Sequence, residues 1–310
     1  MTKRDFLTSD DTTTDELVAL LDAADRHTAE RRVRPTLQGR SVALVFEKPS
    51  TRTRVSFEVA VHELGGHAVP LSGADLQIGR GETLEDTAAV LSRYVDAIVL
   101  RTFAQESLER MARAGSVPVV NALSDYAHPC QALADLQTIR ERRKQLEGLR
   151  LAYLGDGNNV CHSLLIACTK VGMHMAVATP AGYEPIPQVV RRATQIAAET
   201  GGSVELTHDA KTAARDADVL YTDVWASMGQ ELEHGERALI FKPYQLSTDT
   251  VAAASSDVVV LHCLPAHRGE EITADVLDGP NSAVFDQAEN RLHTQKALLS
   301  WLMTGSPDPA

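Results

Sequence analysis

Two arginines and three hydroxyl side chains stand together in the stretch Ser50-Thr51-Arg52-Thr53-Arg54. The apolar run at 42–46 predicts a buried strand before this stretch, and the apolar spacing up to Gly65-Gly66 predicts a helix after it. The stretch would then lie at a helix N-terminus, where free N–H groups and a partial positive charge attract anions. Arginine suits phosphate because its planar fork donates two parallel hydrogen bonds. From this stretch alone, a Ser50 N-cap with solvated arginines remains the alternative.

Other chemically useful side chains follow two further predicted strands of the same half. Arg101 comes directly after the apolar run 97–100, and His128-Pro129-Cys130-Gln131 ends the loop after the run 117–120. The alternation of strands and helices predicts a parallel sheet covered on both faces, and such sheets bind ligands beyond the carboxyl ends of their strands. We therefore expect these groups to converge with Ser50–Arg54 at one edge. A lone His is more often structural, but His128 beside Gln131 suits a carbonyl oxygen and an amide.

A second series of alternating strands and helices begins at Leu151. The sequence therefore predicts an α/β protein with two doubly wound parallel-sheet domains. We place the domains at 1–146 and 147–287, with a last helix at 288–304 that packs back on the first domain. The tail, 305–310, is expected to be disordered.

The first turn of this second series carries two adjacent amides. In Gly155-Asp156-Gly157-Asn158-Asn159, a dinucleotide fingerprint would need a third glycine where Val160 stands, so NAD binding is not expected. We interpret the segment as a turn that presents Asn158 and Asn159. Their amides either donate to a carboxylate or cap the next helix, and the two readings are equally supported.

Two later strands of the second series end in groups of uncertain role. Asp223 and Ser227 follow the strand at 219–222 and are suited to an ammonium, or they form an ordinary Asx turn. Cys263 follows another buried strand, and an inert buried cysteine is the default interpretation. His262, Cys263 and His267 lack a second ligand pair, so no metal site is expected.

Composition limits the class of protein. The 310 residues are 44% hydrophobic and 23% charged, which is typical of a soluble globular protein. A net charge of −12 disfavours unspecific binding to nucleic acid or to an anionic membrane, so any anion must be bound locally. No apolar run approaches a membrane span, the N-terminus has no signal-peptide pattern, and the four cysteines form no CxxC pair. A reducing cytoplasm is the expected location.

Taken together, these segments resemble the aspartate/ornithine carbamoyltransferase family over nearly the whole chain. The resemblance rests on Ser50–Arg54, Arg101-Thr102, His128–Gln131, Asp223 with Ser227-Met228-Gly229, and His262-Cys263-Leu264-Pro265, with matching flanks at Phe46-Glu47-Lys48 and Gly155–Asn159. The Ser-Met-Gly loop and the Cys of His-Cys-Leu-Pro resemble the ornithine-using members, because the aspartate-using members lack both.

The resemblance implies an enzyme that transfers the carbamoyl group of carbamoyl phosphate to the side-chain amine of L-ornithine, giving L-citrulline and phosphate. It implies an active site in the cleft between the two domains, with carbamoyl phosphate on the first and ornithine on the second. No cofactor and no metal are implied. A homotrimer is implied, in which a neighbour's loop, carrying Gln77 in this chain, completes the phosphate site.

The resemblance also implies roles for individual residues. Those expected to bind carbamoyl phosphate are Ser50, Thr51, Arg52, Thr53, Gln77, Arg101, His128, Pro129, Cys130, Gln131, Cys263, Leu264 and Arg291. Those expected to bind ornithine are Asn159, Asp223, Ser227 and Met228. Arg101, His128, Asp223 and Cys263 are the expected catalytic residues.

Two other amine substrates and a non-catalytic role are the alternatives to ornithine carbamoylation. Putrescine lacks the α-amino acid head, which would leave Asp223, Ser227 and Asn159 little to hold. Aspartate calls for more positive charge near Asp223 than the sequence has. A non-catalytic carbamoyl phosphate binder would be expected to have eroded motifs, and none of those quoted is broken.

Overall fold

The computed structural model describes residues 3–30, 35–73, 81–226 and 234–308. Two compact units divide the chain. The first unit contains Met1–Gln137 and Glu289–Ala310, and the second contains Thr138–Ala288. The division falls within two helices, because one runs from Pro129 to Arg143 and the other from Val284 to Thr304.

Strands and helices alternate over most of the described residues, with two pairs of consecutive helices after residue 233. Up to residue 143 the elements are α1 (Thr14–Ala29), β1 (Ser41–Phe46), α2 (Thr51–Glu63), β2 (His67–Ser72), α3 (Leu84–Leu91), β3 (Ala97–Arg101), α4 (Gln105–Ala114), β4 (Val119–Leu123) and α5 (Pro129–Arg143). The remaining elements are β5 (Arg150–Leu154), α6 (Asn159–Lys170), β6 (His174–Ala178), α7 (Pro187–Thr200), β7 (Ser203–Thr207), α8 (Ala210–Ala214), β8 (Val219–Thr222), α9 (His234–Phe241), α10 (Thr248–Ala253), β9 (Val259–His262), α11 (Ala274–Leu277) and α12 (Val284–Thr304).

Each unit is built on a parallel sheet. The first sheet has the strand order β2-β1-β3-β4 and the second has the order β7-β6-β5-β8-β9, and every pairing is parallel. All residues of β3 and five of the six residues of β1 are buried, as expected for strands covered on both faces. The predicted fold class, α/β with two parallel sheets, is confirmed.

The strand orders identify where each sheet can bind a ligand. The chain leaves β1 toward β2 on one side and returns to β3 on the other, so the direction of winding reverses between β1 and β3. In the second sheet the same reversal falls between β5 and β8. Open parallel sheets bind ligands at such switch points, beyond the carboxyl ends of the two strands.

Local signals account for most element boundaries. A capping box begins α1: the Thr13 hydroxyl accepts from the Glu16 N–H at 3.2 Å, and the Glu16 carboxylate accepts from the Thr13 N–H at 2.9 Å. The strand predicted at 117–120 is instead Val119–Leu123, because Pro118 has no N–H to give to a ladder. The last helix begins at Val284, four residues before the predicted start.

Two remaining observations concern the C-terminal residues and membrane-spanning helices. Residues 305–308, assigned by the sequence to a disordered tail, lie in bends, and Asp308 accepts a hydrogen bond from Arg26 at 2.7 Å. Among the residues described, no helix has both the length and the apolar character needed to cross a bilayer.

Candidate active site

The switch point of the first sheet carries the predicted phosphate loop. Ser50 caps α2, with its hydroxyl accepting from the Thr53 N–H at 3.3 Å, so the helix N-terminus opens just beyond β1. Arg101 is the last residue of the neighbouring strand β3 and is buried. Arg54 turns away, since its guanidinium lies 2.7 Å from Glu58 and is 54% exposed. The hydroxyls and Arg52 therefore remain as the anion-binding candidates of this loop.

A buried hydrogen-bond network ties α12 to the same place. The Arg291 guanidinium donates to the Gln131 side-chain oxygen at 2.7 Å and to the Thr53 hydroxyl at 3.1 Å. Gln131 in turn donates to the Asp135 carboxylate at 2.8 Å, one turn along α5. Because Thr53 accepts from Arg291, its own hydroxyl hydrogen is oriented to donate elsewhere. The network thus fixes three side chains that the sequence predicts in one site.

His128 lies among three guanidinium groups of the first unit. Its side chain is buried, and it immediately precedes Pro129 at the start of α5. Burial, followed by the positive charges of Arg291, Arg101 and Arg52, lowers the pKa of His128 well below its ordinary value. His128 is therefore a neutral imidazole near neutral pH, and the surrounding field is positive. Such a field suits a doubly charged anion such as a phosphate ester.

Cys130 is present at this end of α5 but its thiol faces the protein. The Sγ atom lies 3.4 Å from the Asn121 carbonyl, and burial raises the pKa of Cys130 to about 12. Such a thiol is chemically inert. Any contact of Cys130 or Pro129 with a ligand would use the backbone at the start of α5.

The switch point of the second sheet carries a carboxylate held by two donors. Asp223, directly after β8, accepts from the Asn158 amide at 2.9 Å and from the Cys263 thiol at 2.9 Å. Asn158, the last residue of the turn between β5 and α6, also caps α6 by accepting from the Val160 and Cys161 N–H groups. Asp223 is nearly buried, so its charge is weakly screened and suited to a cationic group.

Comparison with known proteins assigns both halves of the chain to one family. Residues 4–141 match the family model described as the aspartate/ornithine carbamoyltransferase carbamoyl-P binding domain. Residues 147–302 match its companion, the Asp/Orn binding domain. The chain belongs to the aspartate/ornithine carbamoyltransferase family. The resemblance seen in the sequence is thereby confirmed.

Individual members of the family are similar over their whole length. Ornithine carbamoyltransferase from Parafrankia sp. (strain EAN1pec) is 65% identical over 307 residues, which cover 98% of this chain and 97% of that protein. Its counterpart from Acidothermus cellulolyticus is 62% identical and covers 97% and 96%, respectively. The solved structure of ornithine carbamoyltransferase from Pyrococcus furiosus superposes with a TM-score of 0.95 at 54% identity, covering 98% of each chain.

Within this carbamoyltransferase chain, the structure brings many of the predicted residues into two groups. The first group lies in the first unit and contains Thr53, Arg101, His128, Gln131 and Arg291. Hydrogen bonds join Arg291 to Gln131 and Thr53, and the positive charges of Arg101 and Arg291 act on His128. Asp223 and Cys263 are in contact in the second unit. Three predicted residues, Gln77, Ser227 and Met228, lie outside the described residues.

Sequence reasoning missed two participants, Asp135 and Glu271, and left the role of a third, Asn158, open. Asp135 stands four residues after Gln131 in a helix, a spacing that places the two side chains on one face and was available as a signal. Asn158 donates to Asp223 and caps α6, so it performs both of the roles left open for this turn. Glu271 lies 3.1 Å from the imidazole of His262, nine positions earlier, a contact that depends on the path of the loop after β9 and leaves no periodic signal.

The side chains near Asp223 offer donor atoms that a metal ion can use, but one of the three is already occupied. Asp223, His262 and Cys263 each have a ligand atom within 4.8 Å of the others. Both ring nitrogens of His262 are hydrogen-bonded, one to Glu271 and the other to the Leu264 N–H. The imidazole would have to break a buried hydrogen bond to bind a metal, so this donor set fits a metal poorly.

Proposed function

We propose that this protein transfers the carbamoyl group of carbamoyl phosphate to the side-chain amine of L-ornithine, giving L-citrulline and phosphate. The observation that carries the proposal is the cluster of Arg52, Arg101 and Arg291 around neutral His128. It lies in the part of the chain that matches the carbamoyl-P binding domain. The ornithine-using relatives, at 62–65% identity, support the amine substrate.

The proposed contacts of carbamoyl phosphate follow from the groups in the first unit. The helix N-terminus at Ser50–Thr53 and the Arg52 guanidinium would bind the phosphate oxygens. Arg101, His128 and the Thr53 hydroxyl would donate to the carbonyl oxygen, and Gln131, held by Arg291, would orient the carbamoyl amide. A neutral His128 is suited to this because it has one N–H to donate.

The proposed contacts of ornithine follow from the second unit. Asp223 and Ser227 would bind the α-ammonium group, and Asn159 with the Met228 backbone would bind the carboxylate. Cys263 would contact the side-chain amine and, with Leu264, the carbamoyl group. The nearly buried Asp223 supports this assignment, since a weakly screened carboxylate attracts an ammonium strongly.

The reaction is a nucleophilic attack by the amine nitrogen on the carbamoyl carbon. The C–N bond forms, the carbonyl oxygen becomes a tetrahedral oxyanion, and the C–O bond to phosphate then breaks as the nitrogen loses a proton. Each donor to the oxyanion typically contributes about 3 kcal/mol. Binding both substrates together can supply roughly 7–11 kcal/mol of the barrier reduction. Only the neutral amine reacts, and neutralising it near pH 7.4 costs roughly 4 kcal/mol in water.

Citrulline formation from carbamoyl phosphate and L-ornithine tests the proposal, with L-aspartate and putrescine as competing substrates. We expect ornithine to be by far the best of the three amine substrates, and its kcat/KM to rise by about tenfold per pH unit between about pH 6 and about pH 9 as the side-chain amine loses its proton. His128 adds no opposing limb, because its lowered pKa keeps it neutral throughout this range. Turnover of another amine with a kcat/KM as high as that for ornithine would refute the ornithine assignment, and a flat profile would refute the neutral-amine step.

We also propose that the functional domains meet near Glu147. The two family matches support this boundary, because they end at 141 and resume at 147. The location of the active site in the cleft between the two domains stays a prediction.

A homotrimer in which Gln77 completes a neighbour's phosphate site is proposed as the assembly. Large apolar side chains exposed on the first unit, among them Val55, Val90 and Tyr94, support association. Light scattering should give three times the chain mass of 33.6 kDa. Mixing inactive Gln77→Ala and Arg101→Ala subunits should restore about one quarter of the sites, because that fraction pairs two intact contributions. Absence of any restoration would place Gln77 in its own subunit's site.

A further inference from the structure

We propose that His262 and Glu271 are positioning residues that hold the turn carrying Cys263 and Leu264, so that the Cys263 thiol lies against Asp223. The inference rests on the proposed function for its kinetic consequence, since that function places ornithine beside Cys263. The geometric part, the orientation of the thiol, stands independently of any substrate.

The His262 ring bridges two parts of one loop. His262 is the last residue of β9 and is fully buried. Its Nδ1 accepts from the Leu264 N–H at 2.9 Å, and its Nε2 lies 3.1 Å from the Glu271 carboxylate. A backbone N–H can only donate, so Nδ1 carries no proton and Nε2 must be the donor to Glu271. One tautomer is therefore selected by the two contacts together.

Glu271 closes the other side of the loop. The carboxylate is fully buried and also accepts from the His267 N–H at 2.6 Å. Burial raises the pKa of Glu271, but the hydrogen bonds from His262 and from the His267 N–H together outweigh burial and leave that pKa below its ordinary value. Glu271 thus stays ionised, and its carboxylate holds both the His262 ring and the backbone of the loop at His267.

The turn that these contacts hold has an unfavourable backbone conformation. Leu264 has a φ of +55°, in the left-handed region that residues with a Cβ rarely adopt. The hydrogen bond from its N–H to His262 stabilises that conformation. On the strand side, the His262 N–H donates to Gln287 at 2.9 Å, and Gln287 donates to the Tyr221 hydroxyl at 3.1 Å. The residue between these fixed points is Cys263.

Holding Cys263 on both sides has a chemical consequence. The thiol of Cys263 donates to Asp223 at 2.9 Å, and that carboxylate is the proposed partner of the ornithine ammonium. A change in the Leu264 backbone would rotate Cys263 and release the thiol from Asp223. Two buried ionisable side chains are expensive to desolvate, and an apolar pair of similar volume would fill the same space. The His262–Glu271 pair instead supplies a directed acceptor to the Leu264 N–H, which an apolar pair cannot do.

Two substitutions of His262 separate the halves of the bridge. In His262→Asn, the amide oxygen stands near the Nδ1 position and can still accept from Leu264, whereas the contact with Glu271 is lost. In His262→Gln, the amide nitrogen reaches toward Glu271, but no acceptor remains for the Leu264 N–H. We expect kcat/KM for ornithine to fall about tenfold in His262→Asn and about a hundredfold in His262→Gln. The dissociation constant of inorganic phosphate, measured by calorimetry, should stay within about twofold.

Alkylation of Cys263 by iodoacetamide provides a readout that needs no substrate. The other three cysteines, Cys130, Cys161 and Cys168, are buried, so the reagent should select Cys263. Release of the thiol from Asp223 should raise the alkylation rate at least about fivefold in His262→Gln and less in His262→Asn. Cys263→Ser gives the background rate. Arg268 lies in the same loop and forms an exposed ion pair with Asp278, at the end of α11; Arg268→Gln breaks that pair, is the matched control and should match the wild type.

Glu271 supplies a second pair of variants if the His262 variants fail to fold. Glu271→Gln keeps an acceptor oxygen and should retain kcat/KM for ornithine and the alkylation rate within about threefold, whereas Glu271→Ala, which also loses only the Glu271 half of the bridge, should behave like His262→Asn. Unchanged alkylation in folded His262→Gln or Glu271→Ala would overturn the inference, even if ornithine turnover fell. If the wild type did not use ornithine at all, the proposed function would fail, and the alkylation rates alone would decide the inference.

Discussion

Arg52→Ala is expected to raise the KM for carbamoyl phosphate about a hundredfold or more and to leave the KM for ornithine within about threefold. Arg52 sits in the first turn of α2, and its charge acts on His128 together with those of Arg101 and Arg291. Removing one guanidinium from a phosphate loses up to two charge-assisted hydrogen bonds, each contributing about 1.5–3 kcal/mol. The product that leaves is also phosphate, so inhibition by inorganic phosphate should weaken in parallel.

Arg54→Ala is the matched control for this loss. Arg54 is two residues away on the same helix and carries the same charge, but it is paired with Glu58 and 54% exposed. Both substitutions change the net charge equally, so any general electrostatic effect appears in both. Initial-rate kinetics with varied carbamoyl phosphate measure the difference. Equal KM values for the two variants would contradict the assignment of Arg52 to the phosphate.

The switch points explain why much of the architecture could be predicted from the sequence. Each buried strand is a short apolar run, and its polar follower is adjacent in the chain, as in Val42–Phe46 before Ser50 or Ala97–Leu100 before Arg101. Parallel pairing brings carboxyl ends to one edge whatever the strand order. Local patterns therefore sufficed to predict the sheets and the convergence of Arg101 and His128.

Local patterns could not predict contacts that depend on packing between distant segments or on the path of a loop. Arg291 donates to Thr53 across 238 positions, and only the family resemblance pointed to Arg291. Glu271 meets His262 because the loop after β9 folds back, and no periodicity in the sequence records that return. The role of Asn158 stayed open because its amide is oriented by Asp223, 65 positions away. Side-chain partners of this kind require coordinates.

Asp223→Asn is expected to lower kcat/KM for L-ornithine about a thousandfold, a loss of ~4 kcal/mol in transition-state binding. The amide has nearly the shape of the carboxylate and can still accept from the Asn158 side chain or from the Cys263 thiol. What it cannot do is balance an α-ammonium in a site that is almost closed to water. The phosphate affinity of the first unit should not change.

Two controls make the test specific: a substrate without the α-amino acid head, and the same substitution at a second aspartate. Putrescine has the reacting amine but no α-amino acid head, so its slow turnover, if any, should change far less than that of ornithine in Asp223→Asn. Asp218→Asn makes the same substitution at the amino end of β8, where Asp218 is paired with Arg143 at 2.7 Å. Because parallel sheets bind ligands at the carboxyl ends of their strands, Asp218→Asn should cost about 1 kcal/mol of stability and leave kcat/KM within about twofold. If Asp218→Asn lowered kcat/KM as much as Asp223→Asn, the effect would be one of folding, and Asp223 would lose its assignment to the ammonium.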